Sequence, residues 1–353
     1  FLFYLVFLFC FYFFWVFCLT QNQKEEKRND IRVGLKKKKE MSLKKGLVLN
    51  GGGVLGVAHV GALKRLNELG KFEYEYYAGS SVGAIIATGM ALDASYEFIE
   101  RLVARVDFNV LLDDTPYDAN VLDILRLLRK YGWYKGEALK ELYRSFIHDL
   151  TGNGDITMLE AYNLTGKFLL LTAFRTNDST TVEITKDTYP HVPVKDALYW
   201  SSSYPFLFAT EPVRAVDIKH YTNVDPGCDV VFIDGGTLNN YPFDLLAKYT
   251  PIETILGLHL SNDKEELLYN NTQRCAVIKL PPPPTNILAH ALVCAEAIRM
   301  QAMSSHVSAT IWANTISINV GSLSSTDFNI TQETKSRLFQ IGYDSVILGP
   351  FGA

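Results

Sequence analysis

The sequence lacks the cysteine pairs that would hold a metal or a disulfide framework. Its 353 residues include five cysteines, none of them in a CxxC pair, so nothing supports a zinc ribbon or a disulfide-stapled fold. A basic surplus is also missing. The first forty residues hold 8 basic and 4 acidic side chains, which leaves 26 basic and 34 acidic for residues 41–353. The net negative charge of residues 41–353 disfavours a nucleic-acid partner. An odd number of cysteines without a CxxC pair fits a reducing compartment.

The longest uninterrupted apolar run, residues 1–19, stands at the N-terminus. About 20 such residues span a bilayer core, and a basic segment at residues 24–45 follows. If residues 1–40 are translated, this pattern predicts a membrane anchor whose C-terminal side is cytoplasmic. The alternative interpretation is non-native upstream translation, because the first methionine is Met41 and a globular strand follows at once. These residues would then say nothing about localisation, and a cytoplasmic protein is expected.

Two strand, turn and helix units follow Met41. Residues 46–50 form an apolar run that ends in glycines, and residues 54–69 show apolar side chains at helical spacing. Residues 74–78 and 84–92 repeat this order. Consecutive units of this kind predict an α/β fold with a mainly parallel central sheet covered by helices. A long apolar helix is expected further on, from residue 287 to about residue 312.

The first motif is GGGVLG at residues 51–56, between a strand and a helix. It matches the GxGxxG turn of dinucleotide-binding folds, so a nucleotide-binding oxidoreductase is one interpretation. That fold needs an acidic residue at the end of the second strand, whereas Glu73 and Glu75 lie at its start. The other interpretation is a row of free backbone N–H groups that stabilise an oxyanion.

Two further motifs supply a nucleophile and an acid. GSSVG at residues 79–83 lies between a strand and a helix and matches the nucleophile elbow, in which a serine, here Ser81, sits on a sharp turn between small residues. FIDGG at residues 232–236 places Asp234 where an apolar strand ends in a glycine turn. Because strands of one sheet can end at the same edge, Asp234 is expected near Ser81.

In this order, the three motifs resemble those of the patatin-like phospholipase family. The resemblance implies a three-layer α/β/α catalytic domain over residues 44–345, which acts through a Ser–Asp dyad without metal or organic cofactor. It is supported by DALYWSSSYPF at residues 196–206, NNYP at 239–242 and a C-terminal helix within 328–343. The implied site residues are the nucleophile Ser81, the proton acceptor Asp234, the oxyanion donors Gly51, Gly52 and Gly53, and the supporting glycines Gly56, Gly79, Gly83, Gly235 and Gly236.

The implied activity is that of a phospholipase A, which cleaves acyl esters of phospholipids or other acyl lipids at a membrane or lipid-aggregate surface. One departure from the family pattern is Leu55, where many members carry Arg or Lys.

Two other interpretations of the three motifs remain open. One is an α/β-hydrolase triad that uses His259, since the chain order of serine, acid and histidine is satisfied. The other is a catalytically silent lipid-binding scaffold. His59 lies beside the glycine loop, and we interpret it as a residue that packs against the loop or supports it.

A substitution at His259 separates the dyad from the triad. His259 lies inside the apolar run LGLHL at residues 256–260, where a structural histidine is the commoner outcome. We expect His259→Ala to leave ester hydrolysis largely intact, as measured by kcat on an acyl-ester substrate. A loss of several orders of magnitude in kcat, with folding preserved, would instead establish the triad.

Overall fold

A computed structural model describes residues 45–105, 112–113, 121–218, 227–263, 307–325 and 327–348. The apolar run at residues 1–19 and most of the helix expected at 287–312 lie outside these ranges. No helix among the described residues is long and apolar enough to cross a membrane.

Short strands alternate with helices along the described chain. The strands are β1 (Gly46–Leu49), β2 (Tyr76–Gly79), β3 (Gly132–Tyr134), β4 (Phe168–Arg175), β5 (Thr180–Ile184), β6 (Phe206–Phe208), β7 (Val213–Arg214), β8 (Asp229–Val230), β9 (Phe232–Asp234), β10 (Ile255–Ser261) and β11 (Thr315–Asn319). The helices are α1 (Val57–Glu68), α2 (Val82–Ala91), α3 (Tyr96–Arg105), α4 (Val121–Lys130), α5 (Glu137–Thr151), α6 (Met158–Thr165), α7 (Val194–Ser202), α8 (Ala215–Ile218), α9 (Phe243–Leu246), α10 (Ala309–Trp312) and α11 (Gln332–Leu348).

The central sheet has the strand order β11-β10-β1-β2-β4-β5, with β9 paired to β4 as well. The pairs from β11 to β4 are all parallel, and β5 and β9 run antiparallel to β4. The mainly parallel sheet confirms the α/β prediction. Two small two-stranded sheets, β3 with β6 and β7 with β8, lie outside it.

Buried side chains alternate between the two faces of the sheet because successive residues of a strand point to opposite sides. On β1, Leu47 and Leu49 belong to a large apolar cluster that includes side chains of α1, α2, α5 and α7. Val48, between them, belongs to a second cluster that includes Phe243 of α9 and Ile311 of α10. Helices therefore cover both faces of the sheet.

Helix α1 packs against the C-terminal helix α11 at two points of backbone contact. A Cβ atom placed on Gly61 would lie 1.9 Å from the carbonyl oxygen of Phe339, and one placed on Gly342 would lie 1.8 Å from that of Ala58. Real Cβ atoms do not approach other atoms so closely. The crossing therefore requires glycine in both helices, and it fixes the helix that follows the glycine loop.

Replacing Gly61 by alanine should destabilise the fold. The added methyl group meets main-chain atoms that cannot turn away, and such overpacking costs about 1–3 kcal/mol. Gly89→Ala is the matched control, because Gly89 also lies inside a buried helix but its nearest neighbour would be the ring carbon Cζ of Phe146 at 3.3 Å. Both variants gain helix propensity, so equal unfolding free energies in chemical denaturation would contradict the contact.

Candidate active site

Ser81 occupies the turn between β2 and α2 with a positive φ of 52° and a ψ of -125°. This backbone is rare for a residue other than glycine and costs about 1–3 kcal/mol. The turn is tight: a Cβ atom on Gly79 would lie 2.4 Å from the carbonyl carbon of Gly83, and one on Gly83 would lie 2.3 Å from the carbonyl oxygen of Leu49. Ser81 itself is half-buried and stands at the N-cap position of α2, where its side chain makes no capping hydrogen bond. The predicted elbow geometry is therefore present.

Asp234 ends strand β9 and is 3% exposed. Its Oδ1 accepts a hydrogen bond from the main-chain N–H of Gly236 at 2.7 Å. The adjacent Gly235 packs against Thr172 of β4, since a Cβ atom there would lie 2.3 Å from the carbonyl oxygen of that threonine. The glycine turn thus holds the carboxylate at the end of the strand.

Strand β4 brings Ser81 and Asp234 to the same place. Strand β2 pairs with the first half of β4 and ends where Gly79 lies opposite Leu171. Strand β9 pairs with the second half and approaches from the other direction, with Asp234 opposite Ala173. Because β5 occupies the other edge of β4 along this stretch, β2 and β9 share one edge. Their ends face each other across two residues, or roughly 7 Å.

The end of helix α7 holds both residues by their main chains. The N–H of Ser81 donates to the carbonyl oxygen of Ser201 at 3.1 Å and to its Oγ at 3.2 Å. The N–H of Asp234 donates to the carbonyl oxygen of Ser203 at 3.0 Å. Ser202, between them, donates from Oγ to Leu198 at 2.7 Å and forms a 2.7 Å hydrogen bond with the hydroxyl of Tyr143. The three serines therefore contact three different residues of the site: Ser201 contacts Ser81, Ser202 contacts Tyr143 and Ser203 contacts Asp234.

The three glycines predicted as oxyanion donors differ in their hydrogen bonding. The N–H of Gly51 donates to the carbonyl oxygen of Asn240 at 3.1 Å, so this group is occupied in the structure. Within the part of the chain that the structure describes, the N–H groups of Gly52 and Gly53 have no protein acceptor. Gly53 has a φ of 52°, and a Cβ atom there would lie 2.1 Å from the carbonyl oxygen of Ser325. Two donors, rather than three, are thus available to an anion.

Asn50 and His59 hold the start of the glycine loop. The side chain of Asn50 makes two hydrogen bonds with the main chain of Leu260 in β10, donating to its carbonyl oxygen at 3.0 Å and accepting from its N–H at 2.7 Å. Nε2 of His59 lies 3.0 Å from the carbonyl oxygen of Asn50. Since that oxygen only accepts, Nε2 carries the proton. Burial lowers the pKa of His59 to about 4, an effect that this hydrogen bond partly opposes. His59 is therefore neutral at pH 7.

An apolar pocket opens beside the glycine loop and the elbow. Among the side chains that line it are Val82, Ile85, Leu142, Tyr143 and Phe146, and the loop contributes Gly53 and Gly56. Burial raises the pKa of Tyr143, and the negative charge of Asp234 raises it further, against the opposing effect of the hydrogen bond to Ser202. The phenol therefore stays protonated, and Tyr143 links the pocket with the surroundings of Asp234.

His259 lies in the core of the sheet. Its side chain is fully buried, and its ring makes edge contacts with Tyr241 and Trp312 at centroid distances of 4.9 and 5.7 Å. Its neighbours on β10, Leu258 and Leu260, belong to the large cluster that includes α1 and α2. Alternation along the strand therefore turns His259 towards the opposite face of the sheet.

A family model of the patatin-like phospholipases matches residues 47–247, more than half of the chain. The chain belongs to the patatin-like phospholipase family. The matched segment of this patatin-like protein contains the glycine loop, Ser81 and Asp234 together with the serines of α7. The resemblance inferred from the three motifs is confirmed.

Relatives and solved structures agree with this assignment. The chain is 28% identical over 306 residues to an uncharacterized protein, YqhO, of Bacillus subtilis, covering 84% of this chain and 94% of that protein. It is 28% identical over 240 residues to triacylglycerol lipase 5 of Saccharomyces cerevisiae, covering 64% of this chain and 31% of the lipase. The crystal structure of VipD from Legionella pneumophila shares the fold, with a TM-score of 0.55, 17% identity and coverage of 87% of this chain and 66% of that one. The family and its relatives support a hydrolase that acts on lipid esters.

The sequence motifs did not identify the contacts that hold the patatin-like site together. The hydrogen bonds from Ser81 to Ser201 and from Gly51 to Asn240 join residues that are more than a hundred positions apart. The only signals were the resemblance of the SSSYP and NNYP segments to family blocks. They marked Ser201 and Asn240 without assigning them a contact.

The buried, neutral His59 should make stability depend on pH. Its pKa is about 4 in the folded state, against 6.5 for the ordinary side chain, so the unfolded chain binds the extra proton first. The contribution of His59 is complete above pH 6.5 and is lost as the pH falls towards 4, by about 3 kcal/mol in total. His59→Gln, whose amide can still donate to Asn50, should show a smaller fall in unfolding free energy between pH 7 and 4. Identical pH profiles for both proteins would contradict the assignment.

Proposed function

We propose that this protein is a lipid acyl hydrolase of the phospholipase A type that works through Ser81 and Asp234. The observation that carries the proposal is the strained elbow of Ser81, which faces the end of β9 on one edge of β4. A serine held at such a cost in backbone strain, beside a buried carboxylate and two unused amides, has the parts of an acyl-transfer site.

The reaction proceeds in two halves. Asp234 takes the proton of Ser81 as Oγ attacks the ester carbonyl, and the N–H groups of Gly52 and Gly53 hold the oxyanion. The carbon–oxygen bond of the ester then breaks, and the leaving alkoxide of the lysolipid or glycerol takes the proton from Asp234. In the second half, a water molecule attacks the acyl-enzyme and gives its proton to Asp234, which returns it to Ser81 as the fatty acid leaves.

The apolar pocket beside this site can accommodate a long acyl chain. It lies against Gly53, one of the two proposed oxyanion donors, and Val82, the residue that follows the proposed nucleophile. Its walls are apolar, so a hydrocarbon chain loses no hydrogen bonds on entry and gains roughly 0.8 kcal/mol for each buried CH₂ group. Lipids present such chains at membrane or aggregate surfaces, which is where we propose that the enzyme acts. No step of this mechanism requires a cofactor.

Fatty-acid release by matched variants tests the proposal. The purified protein should release fatty acid from mixed phospholipid vesicles, and Ser81→Ala and Asp234→Asn should lower the rate by about 10³-fold or more. Ser80→Ala is the control, because Ser80 is the adjacent residue and its Oγ is buried without a partner among the described residues. This variant should retain activity and reaction with a fluorophosphonate probe.

Each other outcome has a distinct meaning. Equal background release from all four proteins, with no labelling by the probe, would replace the hydrolase by a lipid-binding scaffold. A thermal shift with NAD or NADP and no labelling would favour nucleotide binding at residues 51–56. Release from triacylglycerol emulsions but not from phospholipid vesicles would keep the dyad and change the substrate from phospholipid to neutral lipid.

A further inference from the structure

Asn240 lies between the glycine loop and the turn that carries Asp234, and it is 3% exposed. Its carbonyl oxygen accepts a hydrogen bond from the N–H of Gly51 at 3.1 Å. Its side-chain Nδ2 donates to the carbonyl oxygen of the same glycine, also at 3.1 Å. One asparagine therefore occupies both polar groups of Gly51. The orientation of the amide follows from this contact, because a flipped side chain would place its oxygen against a carbonyl oxygen.

The second of these hydrogen bonds sets the direction of the next amide. The carbonyl of Gly51 and the N–H of Gly52 belong to one planar trans peptide and point in opposite directions. Once Nδ2 of Asn240 fixes the carbonyl, the N–H of Gly52 is fixed as well. That N–H has no protein acceptor among the described residues, so within this part of the chain it is held in a fixed direction and can donate to a bound anion.

The neighbouring donor is held in a different way. The N–H of Gly53 shares its peptide with the carbonyl of Gly52, which accepts a hydrogen bond from the main-chain N–H of Leu55 at 3.0 Å. Almost any residue at position 55 can supply that contact, since it uses only the main chain. The orientation of Gly52, in contrast, depends on one side chain.

Oδ1 of Asn240 fills the space between the two halves of the site. A Cβ atom on Gly51 would lie 2.4 Å from this oxygen, and one on Gly236 would lie 2.5 Å from it. Gly236 is the residue whose N–H binds the carboxylate of Asp234. The same side chain thus contacts the loop that carries the oxyanion donors and the turn that carries the acid.

We propose that Asn240 is a positioning residue that orients the N–H of Gly52 towards the oxyanion of the reaction and sets its place relative to Asp234. The inference rests on the proposed function, since it assigns a role within the same site. Asn240 itself does not touch the substrate. Its effect should therefore appear in the step that develops negative charge rather than in binding of the lipid.

Asn240→Ala should lower kcat for fatty-acid release by about 10- to 100-fold, part of the loss seen when an oxyanion donor is removed, with little change in KM. Asn239→Ala is the matched control. Asn239 is equally buried, but its side chain bonds Asp244 at 3.0 Å and the N–H of Tyr241 at 3.2 Å, away from the glycine loop. This control should change stability and leave kcat close to that of the parent.

The pH dependence of kcat in Asn240→Asp distinguishes a role in orienting the N–H of Gly52 from a purely structural role of Asn240. An ionised carboxylate cannot donate to the carbonyl of Gly51, whereas a protonated one can, through its O–H group. The ratio of the kcat of the variant to that of the parent should therefore rise as the pH falls. This near-isosteric variant decides the question if Asn240→Ala does not fold.

Three results would overturn the inference. One is an unchanged kcat in folded Asn240→Ala, and another is an equal loss in Asn239→Ala. The third is a kcat ratio for Asn240→Asp that does not change with pH. A parent protein that releases no fatty acid and does not react with the fluorophosphonate probe would instead overturn the proposed function, and the inference with it.

Discussion

The structure of the site depends on the way in which strand β4 is shared between two partners. One edge of β4 pairs first with β2, in parallel, and then with β9, in the opposite direction. Strand β2 pairs with β4 along its whole length and ends at Gly79, after which the chain turns at Ser81 while β4 continues to Arg175. Strand β9 pairs with the next part of the same edge of β4, so Asp234 lies beside the end of β2. The change of partner along β4 and the site are therefore one feature.

The glycine loop is fixed to this frame from several sides by hydrogen bonds that involve no charged group. Asn50 ties its start to β10, Asn240 ties Gly51 to the turn after β9, and the carbonyl of Ser325 accepts from the N–H of Val54. Buried neutral hydrogen bonds are individually modest, at about 1 kcal/mol each, but leaving one unmade costs more. Such a loop is rigid without a charged side chain among these contacts. The absence of a basic residue at position 55 leaves these contacts unaffected, because they all use neutral groups.

Much of the fold and the identity of the motif residues could be predicted from the sequence, because both depend on local patterns. The glycine loop, the elbow and the glycine turn after Asp234 were recognised from the residue types that sharp turns require. The strand at Tyr76–Gly79 was expected to begin at Tyr74, whose side chain is buried but lies just before the strand. Strand β11 was not predicted, since its five residues follow a segment that was interpreted as a long helix.

The contacts between distant segments could not be predicted, because no local pattern encodes them. The sequence around Gly51 does not indicate that its N–H donates to the carbonyl oxygen of Asn240. Three donors were therefore expected, whereas two of these N–H groups have no acceptor among the described residues. The antiparallel insertion of β9 beside β2 is likewise a matter of pairing between segments about 150 residues apart. The expectation that Asp234 lies near Ser81 rested on strands that end at one edge of the sheet, and it could not specify that β2 and β9 both pair with the same edge of β4.

The anchoring of Ser81 and Asp234 to one helix end has a consequence for motion. Their main chains bond to carbonyl groups only two residues apart, those of Ser201 and Ser203. A tilt or shift of α7 would carry both residues in the same direction, so their separation is set by a short piece of covalent chain rather than by the packing of independent elements. The surrounding surface can then deform while the distance between the main chains of Ser81 and Asp234, the proposed nucleophile and base, stays constant.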